Sequence, residues 1–311
     1  MDIAVLFSNL VGLFLLIGVG FFAVRMNVLP IQAAKPMSAL LMKITVPATV
    51  VSSMLRPFDP AFLRLGLSIL AVGTVLFALF AALSLGLAPL CRVPRGRRGM
   101  WCCCATFCNN SFMGFPVALA VLGEEGLALR VILAIPFNLM AYSIGARMVC
   151  MDADGAGAAP ASSWKRALFS TINLATLVGT VLYITQLPVP EAVQTPLRHL
   201  SNVTTPLSMI ITGMNLSQGS LADVVRDRDA FTASAMRLLL FPLIAWGVMR
   251  CIPGLDGLVM GAALLNMSMP APAAATLMGE EYGGNVQIGS RIIFLSSLLC
   301  VATIPLISLL L

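Results

Sequence analysis

The chain has 311 residues, of which 59% are hydrophobic and 10% are charged, whereas soluble domains carry about 25% charged residues. This composition excludes an ordinary soluble enzyme, and the net charge of +6 is a topology signal rather than a nucleic-acid patch. A membrane crossing takes about 20 mostly apolar residues. We therefore predict an all-α integral membrane protein with about ten transmembrane helices, at 3–24, 36–55, 62–90, 99–122, 127–149, 167–187, 199–217, 230–250, 256–278 and 286–310.

Basic residues are distributed unevenly over the predicted connections. Counted with the three residues at each adjoining span end, the odd-numbered connections carry eleven lysines and arginines and the even-numbered ones carry four. Because basic loops stay in the cytoplasm, we predict a multi-pass protein of the cytoplasmic (inner) membrane with both termini outside. The cluster CRVPRGRRG at 91–99 is then a cytoplasmic anchor. The first span lacks a basic n-region and is predicted to be a retained helix, not a signal peptide.

The residues that metal sites and enzymes need are scarce. His199 is the one histidine, the eight cysteines form no CxxC pair, and we expect no metal and no cofactor. Consecutive cysteines such as those at 102–104 are expected to pack between helices. Apart from Asp256 at the first position of the ninth span, the predicted spans contain no Asp or Glu. This excludes an intramembrane aspartyl protease, which needs two acidic residues within the spans. The sequence also shows no Ser–His pair of the kind that an intramembrane serine protease needs. We expect no enzyme.

An Ala-, Gly- and Ser-rich linker at 151–163 divides the chain into residues 1–150 and 164–311, with five predicted spans in each part. An odd number of spans gives related halves opposite orientations. Aligning residues 110–125 with 266–281 makes seven of sixteen positions identical. In weaker matches Pro47 aligns with Pro206, and Arg130 with Arg291. The sequence therefore predicts two inverted repeats of five helices.

The aligned stretches interrupt the fourth and ninth spans. A proline inside a helix frees backbone polar groups, which survive in a membrane only beside protein or water. Half-helices that begin near Pro116 and Pro272 would present positive ends, and the amides of Asn109, Asn110 and Asn266 can donate to an anion. The preceding half-helices end at the same breaks, and their negative ends could favour a cation or stay solvated.

Four basic residues lie in the predicted spans beyond the first and last three residues of each, namely Lys43, Arg130, Arg237 and Arg291. A basic residue at a helix centre costs roughly 2.5–3.5 kcal/mol, so each is a candidate functional residue. We expect Lys43 and Arg130 to reach the membrane surface instead, while both interpretations stay open for Arg237 and Arg291. The lack of acidic residues argues against a carboxylate proton relay, although backbone carbonyls could bind an ion.

Three segments carry a family resemblance: NNSFMGFP at 109–116, NMSMPAPAAATLMGEEYG at 266–283 and RIIFLSSLLCVATIP at 291–305. They resemble the auxin efflux carrier family, whose bacterial members are associated with malate and malonate and whose fold is similar to that of bile-acid sodium symporters. The resemblance implies a scaffold of spans 1, 2, 6 and 7 that commonly dimerises. It also implies a transport domain of spans 3–5 and 8–10 that moves like an elevator.

The resemblance further implies a substrate site and a function. Its residues here would be Asn109, Asn110, Gly114, Pro116, Asn266, Pro270, Pro272 and Arg291 at the crossing, and Thr45, Pro47, Thr205 and Pro206 near the scaffold. The long loop of plant carriers is absent, which makes auxin an improbable substrate. The implied protein is a homodimeric secondary transporter of small organic anions such as malonate or malate, with Na⁺ or H⁺ as an optional coupling ion. The alternative is a sodium-coupled symporter of larger, bile-acid-like acids.

Overall fold

The computed structural model describes residues 3–153, 170–218, 224 and 227–310. Most of the predicted linker at 151–163 and the start of the predicted sixth span lie outside the described residues, as do Lys165, Arg166 and Arg226. Within the described ranges all regular structure is helical and no strand occurs. The predicted all-helical class is thereby confirmed.

The helices have the following bounds. They are α1 Ile3–Arg25, α2 Ile31–Met54, α3 Pro60–Leu90, α4 Arg95–Thr106, α5 Phe115–Met140, α6 Ala146–Cys150, α7 Thr171–Thr185, α8 Glu191–Leu216, α9 Arg228–Arg250, α10 Gly257–Met267, α11 Ala274–Tyr282 and α12 Val286–Ser308. Five of them, α1, α2, α3, α9 and α12, are long and apolar enough to cross a membrane. The chain is thus a multi-pass membrane protein, while the arrangement as ten inverted helices stays a prediction.

The first break separates α4 from α5. Helix α4 ends at Thr106 and Phe107 is extended. Helical structure resumes as a wide turn at Asn110–Gly114, which runs into α5. Helix α5 itself begins at Phe115, which agrees with the expected start near Pro116, and the wide turn adds helical structure from Asn110 that was not predicted. Asn109 explains the earlier start, because its side-chain Oδ1 accepts a hydrogen bond from the Phe112 N–H at 3.2 Å and so caps the new helix.

A kink joins the predicted fourth and fifth spans. Gly123 has φ 68° and ψ −164°, while the rest of Phe115–Met140 is helical. Only glycine adopts this backbone conformation without strain. The predicted short connection at 123–126 is therefore a sharp bend.

The second break separates α10 from α11. Helix α10 ends at Met267 and α11 begins at Ala274. Pro272 lies two residues before that start, which agrees with the expected half-helix near Pro272. Helix α11 is short, with nine residues.

The helices form two packing groups. In the first, α1 packs on α8, and α2 packs on α7 and α8. The contact between α1 and α8 is made by backbone, because a Cβ added at Gly20 would lie 2.0 Å from the Ile210 carbonyl oxygen, and one at Gly213 would lie 1.9 Å from that of Ile17. We call α1, α2, α7 and α8 the outer group.

The second group contains α3 to α6 and α9 to α12. Helix α3 packs against α4 and α5, α10 packs against α5, and α12 packs against α4 and α9. Stacked rings of Phe80 and Phe241, with centroids 4.5 Å apart, join α3 to α9. The Ser84 and Thr106 hydroxyls hydrogen bond at 2.7 Å between α3 and the end of α4. We call this set the crossing group, because it contains both breaks.

Polar contacts at one end of the molecule join odd-numbered connections. The half-buried carboxylate of Asp152 accepts hydrogen bonds from the N–H groups of Gly99 and Met100 at 2.6 and 2.9 Å. Burial raises the pKa of Asp152 above its ordinary value, against the effect of these bonds. Asp227 accepts from Arg97 at 3.3 Å and from Arg291. Connections three, five and seven therefore meet here.

Polar contacts at another place join even-numbered connections. Arg56 pairs with Glu125 at 2.8 Å, and the Asp59 N–H donates to the Tyr183 hydroxyl at 2.8 Å. The Gln186 side chain donates to the Arg56 carbonyl at 3.2 Å. Connections two and four therefore meet the end of the sixth predicted span, next to connection six, as they would if each successive span crossed the membrane.

Candidate functional site

The two breaks touch each other. The Asn109 N–H donates to the Pro270 carbonyl oxygen at 2.7 Å, and the Cys108 thiol donates to Asn266 Oδ1 at 3.0 Å. Both breaks are buried, with Asn109 and Asn266 only 6% and 0% exposed. The crossing is thus a direct contact between two segments that are about 160 residues apart in the sequence.

Arg237 on α9 binds the negative ends of both half-helices that enter the crossing. Its side chain is fully buried. Nη1 donates to the carbonyls of Ala105 and Thr106 at 3.3 and 2.8 Å, at the end of α4. Nη2 donates to the carbonyls of Asn266 and Met267, at the end of α10.

The remaining Arg237 donor, Nε–H, binds the Met269 carbonyl at 3.0 Å, inside the second break. A guanidinium has five N–H donors, and here five carbonyl oxygens receive them. The carbonyls that close the two half-helices are therefore satisfied by protein. The negative C-terminal ends of α4 and α10 are therefore bound by Arg237, and are neither solvated nor dependent on a dissociable cation.

Arg130 on α5 is the second buried cation of the crossing. Its Nη1 donates to Asn110 Oδ1 at 2.7 Å. The guanidinium lies against Gly114, where an added Cβ would be 1.8 Å from Nη2. The expectation that Arg130 reaches the membrane surface is wrong, since its exposure is 0%.

Neither buried arginine is neutralised by an acid. Among the described residues, no carboxylate lies within ion-pair distance of Arg130 or Arg237. A buried charge without a counter-charge is costly. The crossing therefore carries net positive charge, apart from the partial charges of the helix ends.

Asn109 keeps a free donor at the crossing. Its backbone N–H and its Oδ1 are both used, in the bonds to Pro270 and Phe112. Because Oδ1 faces the Phe112 N–H, the amide orientation is fixed by the network, and Nδ2 has no acceptor among the residues described. The Nδ2 atoms of Asn110 and Asn266 are buried without a partner as well.

A cavity of about 340 Å³ lies between the crossing and the outer group. Its polar lining includes Lys43 of α2, Asn109, Asn110 and Asn138, and Ser170 just before α7, and Ser111, Tyr142 and Thr171 line it as well. The residues 272–275 also line it and bring the N-terminal end of α11 to its wall. We call it cavity A.

A second cavity, of about 320 Å³, lies on the other side of Asn109. It shares Asn109, Phe112 and Ala273 with cavity A, and its remaining polar lining is neutral: Thr212, Asn215, Gln218, Thr276, Ser290 and Ser297. We call it cavity B. Among the described residues, no Asp or Glu lines either cavity, so both offer hydrogen-bond donors without repelling an anion.

Residues 5–308 match the protein family described as membrane transport protein, which is nearly the whole chain. The chain belongs to this family. The match confirms the resemblance to the auxin efflux carriers, and it identifies the molecule as a transporter, consistent with the expectation that it is not an enzyme.

Relatives of this transporter are similar over nearly their full length. An "Uncharacterized transporter" of Methanothermobacter thermautotrophicus is 28% identical over 96% of both chains. Another, of Methanocaldococcus jannaschii, is 24% identical over 91% of both. A "Putative malonate transporter" of Rhizobium meliloti is 24% identical over 93% of this chain and 90% of its own.

The structure brings part of the predicted site together. Asn109, Asn110 and Pro272 line cavity A, Pro270 contacts Asn109, and Gly114 contacts Arg130. Pro116 is buried in the first turn of α5. Asn266 lies in the crossing but lines neither cavity.

Other predicted residues lie away from both cavities. Arg291 is on α12 and pairs with Asp227 in the cluster of odd-numbered connections. The predicted scaffold residues Thr45, Pro47, Thr205 and Pro206 also line neither cavity. Near them, the Thr49 and Thr204 hydroxyls join α2 to α8 at 2.8 Å.

Sequence reasoning missed several residues of the site. Asn138 lines cavity A, and its Nδ2 donates to Asn173 Oδ1 at 2.8 Å, which links α5 to α7. Lys43 is exposed and lines the same cavity. The position of Asn138 in an apolar span, where a polar residue needs a partner, is the signal that could have identified it.

Proposed function

We propose that the protein is a secondary transporter of small organic anions, with small dicarboxylates such as malonate or malate as substrates. The proposal is carried by one observation: Asn109 has a free Nδ2 donor and lines both cavities. A neutral donor can bind a carboxylate without the desolvation cost of a second buried charge.

Three further features support an anion. Lys43 lines cavity A, and a lysine supplies three donors and a positive charge. The N-terminal end of α11 lies at the cavity wall, where a helix carries about half a positive charge. The Rhizobium meliloti relative, named for malonate, agrees with this chemistry.

The size of cavity A favours a small acid over a bile-acid-like one. Its volume of about 340 Å³ is near the lower end of the range of roughly 300–1,000 Å³ for small-molecule sites. A four-carbon dicarboxylate fits such a space with room for bridging water. We therefore prefer the small-anion transporter to the sodium symporter of larger acids.

We further propose that the outer group is a scaffold and that the crossing group moves against it like an elevator. Both cavities lie between the two groups, which is where alternating access needs a site. Ser170, Gln218 and Ser290 line them from the end of the molecule where the odd-numbered connections meet. With the termini outside the inner membrane, as the basic residues predict, this is an inward-facing arrangement. The two inverted repeats and the homodimer stay predictions.

The test is uptake of radiolabelled malonate and malate into proteoliposomes. Asn109→Asp keeps the shape of the side chain but replaces the donor with a carboxylate, and a hydrogen bond to a charged group contributes about 1.5–3 kcal/mol. Each 1.4 kcal/mol corresponds to a factor of ten, so we expect uptake at low substrate concentration to fall about 10- to 100-fold.

Asn202→Asp is the matched control, because Asn202 is exposed on α8 and lines neither cavity. It should transport like the wild type. Equal uptake by Asn109→Asp and the wild type would place the substrate elsewhere. Saturable uptake that unlabelled malonate competes with distinguishes a carrier from a channel.

A further inference from the structure

The negative ends of α4 and α10 meet one positive charge in the crossing. Each helix end carries about half a negative charge, so the two ends together carry about one. Arg237 supplies one positive charge and one N–H donor for each of five carbonyl oxygens from both ends. Charge and hydrogen-bonding capacity therefore match without any other group.

Carbonyls freed by broken membrane helices are the usual ligands of dissociable cations in transporters. Here such a set exists, formed by residues 105–106 and 266–269, and a side chain of the protein occupies it. The donor is on α9, a different helix from the two that end at the breaks. The cation is thus covalently attached and cannot leave during a transport cycle.

We propose that Arg237 is a tethered cation that holds the two breaks together, and that removing its side chain opens a binding site for a small dissociable cation. The expected effect on uptake rests on the proposed function, in which the crossing group carries the substrate. Arg237 is a positioning residue, since it lines neither cavity and acts on the anion through the ends of the half-helices.

Arg130 does not duplicate this role. Its guanidinium donates to the Asn110 side chain and packs against Gly114. Its Nε has no partner among the residues described. Its side chain therefore reaches none of the five carbonyls that Arg237 holds. A cation that replaces Arg237 should bind whether or not the Arg130 side chain is present.

The experiment compares the wild type, Arg237→Ala and Arg250→Ala as purified protein in detergent and in proteoliposomes. Arg250 ends the same helix, is exposed and stacks over Trp246, so it is the matched control. Apparent Tm is measured with guanidinium chloride and with tetramethylammonium chloride at equal, low millimolar concentration. Tetramethylammonium matches the ionic strength but offers no N–H donor.

We expect guanidinium to raise the apparent Tm of Arg237→Ala by at least about 3 °C relative to tetramethylammonium, because a ligand that binds only the folded state stabilises it. The wild type and Arg250→Ala should show no such difference. Malonate uptake by Arg237→Ala should fall at least 10-fold and recover in part with guanidinium. A structural arginine without this role would leave Tm and uptake equally insensitive to both salts.

Equal responses of Arg237→Ala to the two salts would overturn the proposal, and so would wild-type Tm and uptake in this variant without added cation. If Arg237→Ala does not fold, the wild type decides: its Tm and uptake should be the same in sodium chloride and choline chloride. Specific stabilisation of the wild type by sodium would show that a dissociable cation already binds there. The Tm measurements need no substrate, so failure to transport any anion would refute only the proposed function.

Discussion

Gly114→Ala tests the packing of a buried charge against the first break. The added Cβ would lie 1.8 Å from Arg130 Nη2 and 3.0 Å from its Cζ, whereas carbon and nitrogen atoms in contact lie about 3.5 Å apart. The guanidinium must therefore move by more than about 1.5 Å. That movement breaks the 2.7 Å hydrogen bond to Asn110 Oδ1.

The cost has two parts. A hydrogen bond to a charged group contributes about 1.5–3 kcal/mol, and overpacking a buried site costs about 1–3 kcal/mol. Because moving the guanidinium relieves the clash while it breaks the bond, the two do not add fully, and we expect a loss of about 2–3 kcal/mol. At roughly 2–4 °C per kcal/mol, the apparent Tm should fall by about 5–10 °C.

The assay is thermal unfolding of the purified protein in detergent, with Gly86→Ala as the control. Gly86 is an exposed helical glycine on α3 with no atom within 4 Å of an added Cβ, so this change should leave the Tm unchanged or slightly raise it. In an Arg130→Met background the clashing group is gone, and Gly114→Ala should cost less than half as much. A Tm drop below about 2 °C, or an equal drop in both backgrounds, would refute the reasoning.

Two more predictions concern the ends of the molecule. Burial alone would raise the pKa of Asp227, but the hydrogen bond from Arg291 and the charge of Arg97 hold it below its ordinary value. Its carboxylate therefore stabilises the fold at neutral pH, and that contribution is lost as pH falls through the lowered pKa. Asp227→Asn should lower the Tm near pH 7, with a difference from the wild type that shrinks below about pH 4; a constant difference would contradict the assignment. Cys251 is exposed after α9. In a variant that keeps only this cysteine, it should react with a membrane-impermeant maleimide in intact cells. A variant whose single cysteine is Arg92→Cys should react only after permeabilisation, and the reverse result would invert the predicted orientation.

The sequence predicted the broken helices because their signal is local. Two prolines at 270–272 cannot continue a straight helix, and α10 ends three residues before them. At the first break α4 ends at Thr106, and Pro116 lies in the first turn of the helix that follows. The wide turn that extends the helical structure to the N-terminal side of Pro116 was not predicted. It depends on an asparagine cap at Asn109, which competes with the better-known preference of Pro116 for a first turn.

The role of Arg237 could not be predicted from the sequence. Its partners are backbone carbonyls of Ala105, Thr106 and three residues of the second break, and a carbonyl has the same chemistry in every residue. Only the fold shows which carbonyls converge. An arginine inside an apolar span indicates a partner but does not say which one.

The aligned arginines Arg130 and Arg291 show the limit of the repeat argument. Gly114 aligns with Pro270, and the absent side chain at Gly114 makes the space that the Arg130 guanidinium fills. Arg291 instead pairs with Asp227 at the end of α12. The two aligned arginines therefore have different surroundings: at one aligned position glycine leaves room for a side chain, and at the other there is a proline ring.

The close contact of α1 with α8 constrains how the chain can be made. Gly20 and Gly213 touch each other's helix backbone, yet the ribosome adds about 190 residues between them, which takes on the order of 10–40 s. During this interval α1 must stay in the bilayer without its main partner, which its apolar sequence allows. Neither half of the chain contains both helices, so a separately produced first half would leave the Gly20 face of α1 covered only by lipid.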